Sequence, residues 1–429
     1  MLKRHCSVNF LKVFIIVGIY FLITNFLSKS EFIRSNYSDY SFDLVNLILL
    51  KTPDLYPDTP KVFVVHFDDR FLKSRNLLNK NNEPTYGYIF PREYIADFIK
   101  RLDNRIKRVG FGPKALFIDY DFSYSSMPLN NGLSRGDKKL INILAKDRNY
   151  TIYLPRISSY NFIADSKNEK IQKHIKEKKI VFVSPKLYVN NDGDIRRYKP
   201  FDVIDGKTYK NIIITLYEKD NNTTLKNKLN SSIYQSNILF KAYKENKEGR
   251  MIQKSYWSNL FKISVMDFFD LPRKNKDLNN SIIFLGSSYQ HNNDKYTLFS
   301  FPLTLELNGV DVLANAYETI SFFGGFLKVF GFKSVLVVFL LVVTVNCIEN
   351  LGFFRRLNDF KKVECENTVC KIGMKVSNTI LSKAFIIGMF FFLVSIMCLL
   401  NFKIWIDFLV LLISYKFVDF LIKLLKERK

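Results

Sequence analysis

Ser281–Ile320, SIIFLGSSYQHNNDKYTLFSFPLTLELNGVDVLANAYETI, is the stretch whose reading decides the fold. Ser281–Leu285 is a short apolar run ending at Gly286, the pattern of a strand covered on both faces, and the glycine predicts a sharp turn of the backbone. A polar loop follows. After Gly309, VDVLANAYETI has helical spacing and leads almost directly into an apolar segment beginning near Leu327. A strand buried on both faces belongs to a parallel sheet sandwiched by helices, and a helix feeding an apolar segment ties that domain to a membrane. Movement in the loop would then reach the membrane, which points to a sensor.

Upstream, the same pattern recurs. Lys61–Phe67, KVFVVHF, is β-branched and aromatic and delivers Asp68 and Asp69 at its end. Pro91 suits the first turn of a helix on which Tyr94, Ile95, Phe98, Ile99 and Leu102 form an apolar face, closed by Gly110 and Gly112. Lys114–Ile118 is a second buried run ending in acid, at Asp119 and Asp121. Strand, helix and strand over this span predict a right-handed crossover and a parallel sheet with both acidic ends on one edge, where α/β domains place ligands. Further on, Asp137–Leu144 is expected as a helix, Thr151–Leu154 and Ile180–Ser184 as strands, and Asn190–Arg197 as a hairpin turn around Asp-Gly. Asn211–Leu216 starts a helix, Lys219–Ser232 is a polar insertion, Asn237–Tyr243 is expected as a strand and Leu260–Leu271 as a helix. Glu31–Leu50 is expected as a helix ended by Pro53, Pro57 and Pro60.

The chain has 429 residues, 48% hydrophobic and 15% aromatic, with a net charge of +24, and its apolar residues concentrate at the two ends. Four crossings are predicted. Residues 1–9 form a cytoplasmic N-terminus, and 10–27 an uncleaved anchor rather than a signal peptide, since no small-residue cleavage site follows. Residues 28–326 form the extracytoplasmic domain, 327–348 a second span and 349–383 a basic cytoplasmic loop. The spans 384–402 and 406–425 lead to a cytoplasmic C-terminus at 426–429. The basic loop, with Arg355, Arg356, Lys361, Lys362, Lys371, Lys375 and Lys383, fixes the orientation. The cysteines, Cys6, Cys347, Cys365, Cys370 and Cys398, all lie outside the large domain, which therefore holds no disulfide. The positive charge is spread without an aromatic-interleaved stripe, so no nucleic-acid partner is expected. The lipid bilayer is.

Chemistry-bearing motifs are few. His5, His66, His174 and His291 are scattered, Cys365-x4-Cys370 has no second pair, and phosphate-binding loops, nucleophile elbows and kinase or cyclase signatures are absent from the sequence. No metal, cofactor or catalytic residue is expected. Asp68, Arg92, Asp119 and Asp121, acids at strand ends plus an arginine near a helix start, are the candidate ligand-binding residues for a small polar molecule or a cation, against a purely structural role as loop caps. Lys416 and Asp419 sit three apart in the last apolar segment, where snorkelling accounts for them.

Together these pieces resemble the CHASE type 2 domain, an extracytoplasmic sensory module of bacterial receptors, over roughly Phe42 to Ile320. VFVVHFDDRFL, FPREYIADFIKRL, PKALFIDYDFSYS, DGDIRRYKP, and then SIIFLGSS, Asp294, Phe301-Pro302 and GVDVLANAYETI follow that family's order. The resemblance marks Pro91, Gly286, Gly309 and Asn315 as structural signature positions. Phe90 stands where the family has tryptophan, Phe301 where it has threonine and Leu313 where it has histidine, and no kinase or cyclase output follows. The resemblance thus implies a non-enzymatic, multi-pass protein of the bacterial inner membrane. Its periplasmic domain would receive a small ligand or envelope signal and relay it to a separate cytoplasmic effector or envelope protein, with a homodimer as a further expectation. The alternative is a structural or docking subunit of an envelope complex that senses nothing.

Overall fold

The structure is a computed structural model that describes residues 10–29, 38–52, 61–86, 89–126, 132–225, 234–243, 252–254, 259–272, 276–289, 294–299, 305–329, 332–350 and 383–427. Cys365, Cys370, His291, Phe301-Pro302, the prolines 53, 57 and 60, and most of the basic loop lie outside these residues.

Helices α1 (Phe10–Lys29) and α2 (Ser38–Leu49) precede strand β1 (Val62–Phe67). Next come α3 (Asp69–Ser74), α4 (Arg92–Val109), β2 (Ala115–Ile118), α5 (Arg135–Leu144), β3 (Thr151–Pro155), α6 (Glu169–Lys176) and β4 (Ile180–Val183). Short strands β5 (Leu187–Val189), β6 (Ile195–Tyr198), β7 (Phe201–Ile204) and β8 (Lys207–Lys210) lead to α7 (Ile212–Asp220) and β9 (Tyr234–Gln235). Then follow β10 (Ile252–Lys254), β11 (Leu260–Ser264), α8 (Val265–Phe268), β12 (Ile282–Ser287), β13 (Lys295–Phe299), β14 (Leu305–Asn308) and α9 (Gly309–Phe323). The chain ends with β15 (Leu327–Lys328), α10 (Phe332–Asn350), α11 (Lys383–Met397), a π-helical turn at Cys398–Phe402, and α12 (Phe408–Glu427).

Two compact units result. Among the described residues, one comprises those within 48–225 and 236–325, the other those within 10–47, Tyr234–Gln235 and those within 326–427.

The α/β unit is built on a seven-stranded sheet in the order β10-β11-β1-β12-β2-β3-β4, parallel except for β10. Strand β12 inserts between β1 and β2, with Val62 opposite Ile282 and Ile282 opposite Ala115. The deciding stretch thus supplies the central strand, and all six residues of β1 are buried. One face, with Phe63, Val65, Phe67, Leu116, Ile118, Ile283 and Leu285, joins an apolar core with Ile95, Phe98, Ile99 and Leu102 of α4 and Leu140 and Leu144 of α5. Each such side chain contributes about 1.5–3 kcal/mol through burial. The alternate residues face α9, where Phe284 lies 6.4 Å from the Tyr317 ring.

Local signals set the helix ends. Pro91 is the N-cap of α4, one position before the expected first turn, and Gly110 closes that helix at φ +82°, in left-handed space that favours glycine. Helix α5 opens on a capping box in which Ser134 and Asp137 exchange hydrogen bonds.

Three expectations are corrected. Gly286 makes no turn; it lies inside β12, where an added Cβ would sit 2.7 Å from Val310 Cβ, so the glycine lets α9 approach the sheet. Leu260–Leu271 begins as strand β11, because its apolar residues are drawn into a ladder with β1 and only Val265–Phe268 is helical. Asn237–Tyr243 forms no ladder strand; helix side chains satisfy its backbone instead, Leu239 N donating to Thr319 Oγ1 and Lys241 N to Asn315 Oδ1.

In the second unit, one helix among the described residues, Ala384–Phe402, is long and apolar enough to cross a membrane, where the sequence predicts four. The other three expected spans are helical but fall short of that measure. The apolar run of α1 is Phe10–Phe26, α10 bears Lys333 and Glu349, and α12 carries Lys416, Asp419 and Lys423. Two of these charges meet a third helix: Lys12 Nζ of α1 lies 3.4 Å from Asp419 Oδ1 and 3.5 Å from Glu349 Oε2, joining α1, α10 and α12. Asp419 thus answers a helix distant in sequence as well as its own neighbours.

Candidate functional site

A cleft of about 1550 Å³ opens at the carboxyl ends of the parallel strands. Asp119, Tyr120, Asp121 and Tyr124 enter it after β2, Ile157 after β3, Pro185 and Lys186 after β4, and Ser287 and Tyr289 at and after the end of β12. Arg92 at the start of α4 and Gly309 at the start of α9 complete it, with Asp294 and Tyr296 from the loop and strand between β12 and α9. This is the edge at which open α/β sheets bind ligands, since the strand ends splay apart there.

The expected residues divide. Asp68 does not line the cleft; its Oδ1 accepts from Phe71 N at 3.0 Å as the N-cap of α3, and its Oδ2 lies 3.2 Å from Arg70 Nε. Asp121 lines the cleft, while its side chain turns back to accept from Ser123 N at 2.7 Å. Arg92, only 2% exposed, donates from Nη2 to the Asp121 carbonyl and stacks 4.7 Å over Phe122. Burial lowers its pKa to about 10 despite the charges of Asp137 and Asp121, and its Nε has no acceptor.

Asp119 carries the strongest perturbation among these four. Burial, and then the charge of Asp294, push its carboxyl well above the carboxylate range. Asp294 is itself raised to about 6, by burial and by Asp311, although hydrogen bonds from Tyr296 and the Gly309 amide lower it. The geometry behind that amide bond is tight, for a Cβ on Gly309 would stand 2.4 Å from Asp294 Oδ2. Two carboxyls whose environments disfavour their charge share this cleft, an arrangement characteristic of functional sites.

Sequence reasoning places Asp294 in a signature and misses it as a site residue, because its meeting with Asp119 depends on the insertion of β12 between β1 and β2. It also misses Asp311. This residue, fully buried in α9, receives Tyr243 Oη at 3.0 Å, Lys262 Nζ at 2.9 Å and Asn308 Nδ2 at 3.1 Å, with His66 Nε2 at 3.3 Å. Burial alone would raise its pKa, yet Lys262 and His66 hold it far below the carboxylate range. His66 is lowered by burial, the charge of Asp311 notwithstanding. Asn315 and Thr319, one and two turns further along α9, hold the segment at 239–241, so Asn315 has a structural role. The Asp-x3-Asn-x3-Thr spacing within VDVLANAYETI is the signal that one helix stripe is polar and buried.

No group of three or more His, Cys, Asp or Glu side chains arranged to hold a metal occurs among the described residues. Compared with known proteins, the chain matches no family model, no curated protein and no solved structure.

Proposed function

We propose that this chain is a membrane-anchored sensory protein that resembles the CHASE type 2 receptors. Its α/β domain lies outside the cytoplasmic membrane, binds a ligand in the strand-end cleft and acts on a separate effector rather than catalysing a reaction. The observation that carries this reading is the meeting of the perturbed Asp119–Asp294 pair with the first residue of α9. Occupancy of the cleft bears directly on that helix, and the chain continues from it within ten residues into α10. Ligand binding shifts the helix only if it favours one arrangement over another, and contact with the helix start supplies such a difference. Four crossings with both termini inside complete the proposal. The pairing of Lys12 with Glu349 and Asp419 is consistent with helices whose charges are matched to one another.

The test has two parts. Thiol labelling of intact cells and inverted vesicles is expected to modify Cys365 and Cys370 from the cytoplasmic side alone, and labelling from outside overturns the topology. Crosslinking followed by purification of the tagged full chain in mild detergent is expected to recover a protein with a cytoplasmic catalytic domain. Recovery of envelope proteins alone, or of the chain alone, favours a docking subunit instead.

A further inference from the structure

Charge in the cleft is arranged in two opposite poles. At one, no hydrogen bond or ion pair reaches the Asp119 carboxyl among the described residues, and Asp294 lies beside it. Two neighbouring acids, one of them without a hydrogen-bond partner among the described residues, suit a cation. At the other pole, Arg92 is almost wholly buried, spends one donor on the Asp121 carbonyl, and leaves Nε without an acceptor among the described residues. Buried donors are nearly always paired, and a guanidinium fork matches a carboxylate in geometry and charge. Tyr120, Tyr124, Tyr289 and Tyr296 line the space around the poles; Tyr120 is held by Ser287 and Tyr296 by Asp294, while the exposed Tyr124 is placed to meet an ammonium group. A divalent metal is a poorer match, because among the described residues only two carboxyls converge and no third His, Cys, Asp or Glu joins them.

We infer that the cleft binds a zwitterionic ligand of short-peptide size, its ammonium end at Asp119 and Asp294 and its carboxylate end at Arg92. This rests on the proposed role of the cleft as the ligand site. The size follows from the volume: about 1550 Å³ exceeds the roughly 300–1,000 Å³ of sites for single small molecules. An arriving ammonium stabilises the ionised carboxyls.

The experiment is calorimetric titration of the full chain in lipid nanodiscs with unblocked tri-alanine, N-acetyl-tri-alanine, tri-alanine amide and free L-alanine. Unblocked tri-alanine is expected to bind, and each block to weaken it at least tenfold. The Asp119→Asn variant should bind the free and acetylated peptides alike. Equal binding of blocked and unblocked forms by the wild type overturns the zwitterion. Free alanine binding as tightly as the peptide overturns the size. A low-mass extract of the growth medium separates the two levels of inference, using Val189→Trp, a substitution at an exposed residue that fills the cleft. If tri-alanine gives no heat while the extract gives heat with wild type and none with Val189→Trp, the ligand class falls and the cleft reading stands. If the extract gives none with either, both fall.

Discussion

Asp311 and the Asp119–Asp294 pair are neighbouring sets of acids with opposite surroundings. Asp311 is fully buried yet ionised, because Lys262, Tyr243 and Asn308 hydrogen-bond to its two oxygens and His66 lies against it. Asp119 has the charge of Asp294 beside it instead, and burial drives both toward the protonated form, even though Tyr296 and the Gly309 amide hydrogen-bond to Asp294. Burial is common to both places; compensation separates them. A compensated buried charge locks elements together, here α9 to β1 and β11. An acid kept from its preferred charge state is a reservoir that a ligand can draw on.

The sharpest break of this comparison is Asp311→Asn. Among the described residues, the amide removes the carboxylate that pairs with Lys262 and His66, and it leaves a partly buried ammonium without that counter-charge. The expected loss is about 3–5 kcal/mol, the range for breaking a buried ion pair from one side. Urea unfolding of the full chain in detergent measures it, and a loss under about 1 kcal/mol, the usual limit for surface pairs, would show that the network is not holding the helix.

The pH dependence of stability should separate the two sets by sign. The Asp294 carboxyl is raised in the folded state, to about 6, so the folded protein holds a proton that the unfolded chain has already lost. Its contribution to stability is fully present below about pH 4 and declines as pH rises to about 6, by about 2 kcal/mol. Asp119, raised for the same reason, extends the decline upward. Asp311 runs the other way: its contribution is present above about pH 4 and is lost as pH falls further. Unfolding measured from pH 3 to 8 should flatten between about 4 and 6 in Asp294→Asn and leave the acid limb intact. An unchanged slope in that variant would contradict the raised carboxyl.

How much of this was legible depends on range. The strands β1, β2, β3, β4 and β12 are visible because each is a short apolar run, buried on both faces, with a polar or glycine boundary. Helices α4 and α5 carry their own stops and caps in Gly110 and Ser134. Local pattern fails where a distant partner decides. Leu260–Ser264 has helix-compatible spacing but is claimed by β1, and Asn237–Tyr243 has strand composition but is held by Asn315 and Thr319. The same limit governs the site. Asp119 and Arg92 stand out at element ends, whereas Asp294 joins Asp119 only through the sheet order, and Asp68 has equal sequence credentials but is occupied in capping α3. Apolar composition likewise predicts four spans, while the charges on α10 and α12 make sense only once Lys12 is seen between Glu349 and Asp419.

Asp119→Asn makes the same chemical change as Asp311→Asn and should have the smallest effect on folding. Burial and the charge of Asp294 disfavour the ionised form of Asp119, so a neutral amide of the same shape costs little, and no cation is stranded by the exchange. Stability should therefore change by less than about 1 kcal/mol, with any change favouring the folded state. The preference for free over acetylated peptide should disappear, because the pole that attracts an ammonium group is halved. Paired measurements on one sample, urea unfolding and calorimetric titration with tri-alanine, decide the matter. A folded variant that no longer distinguishes free from acetylated peptide identifies Asp119 as a ligand contact, whereas a destabilised variant would place it with Asp311 among the groups that hold the fold.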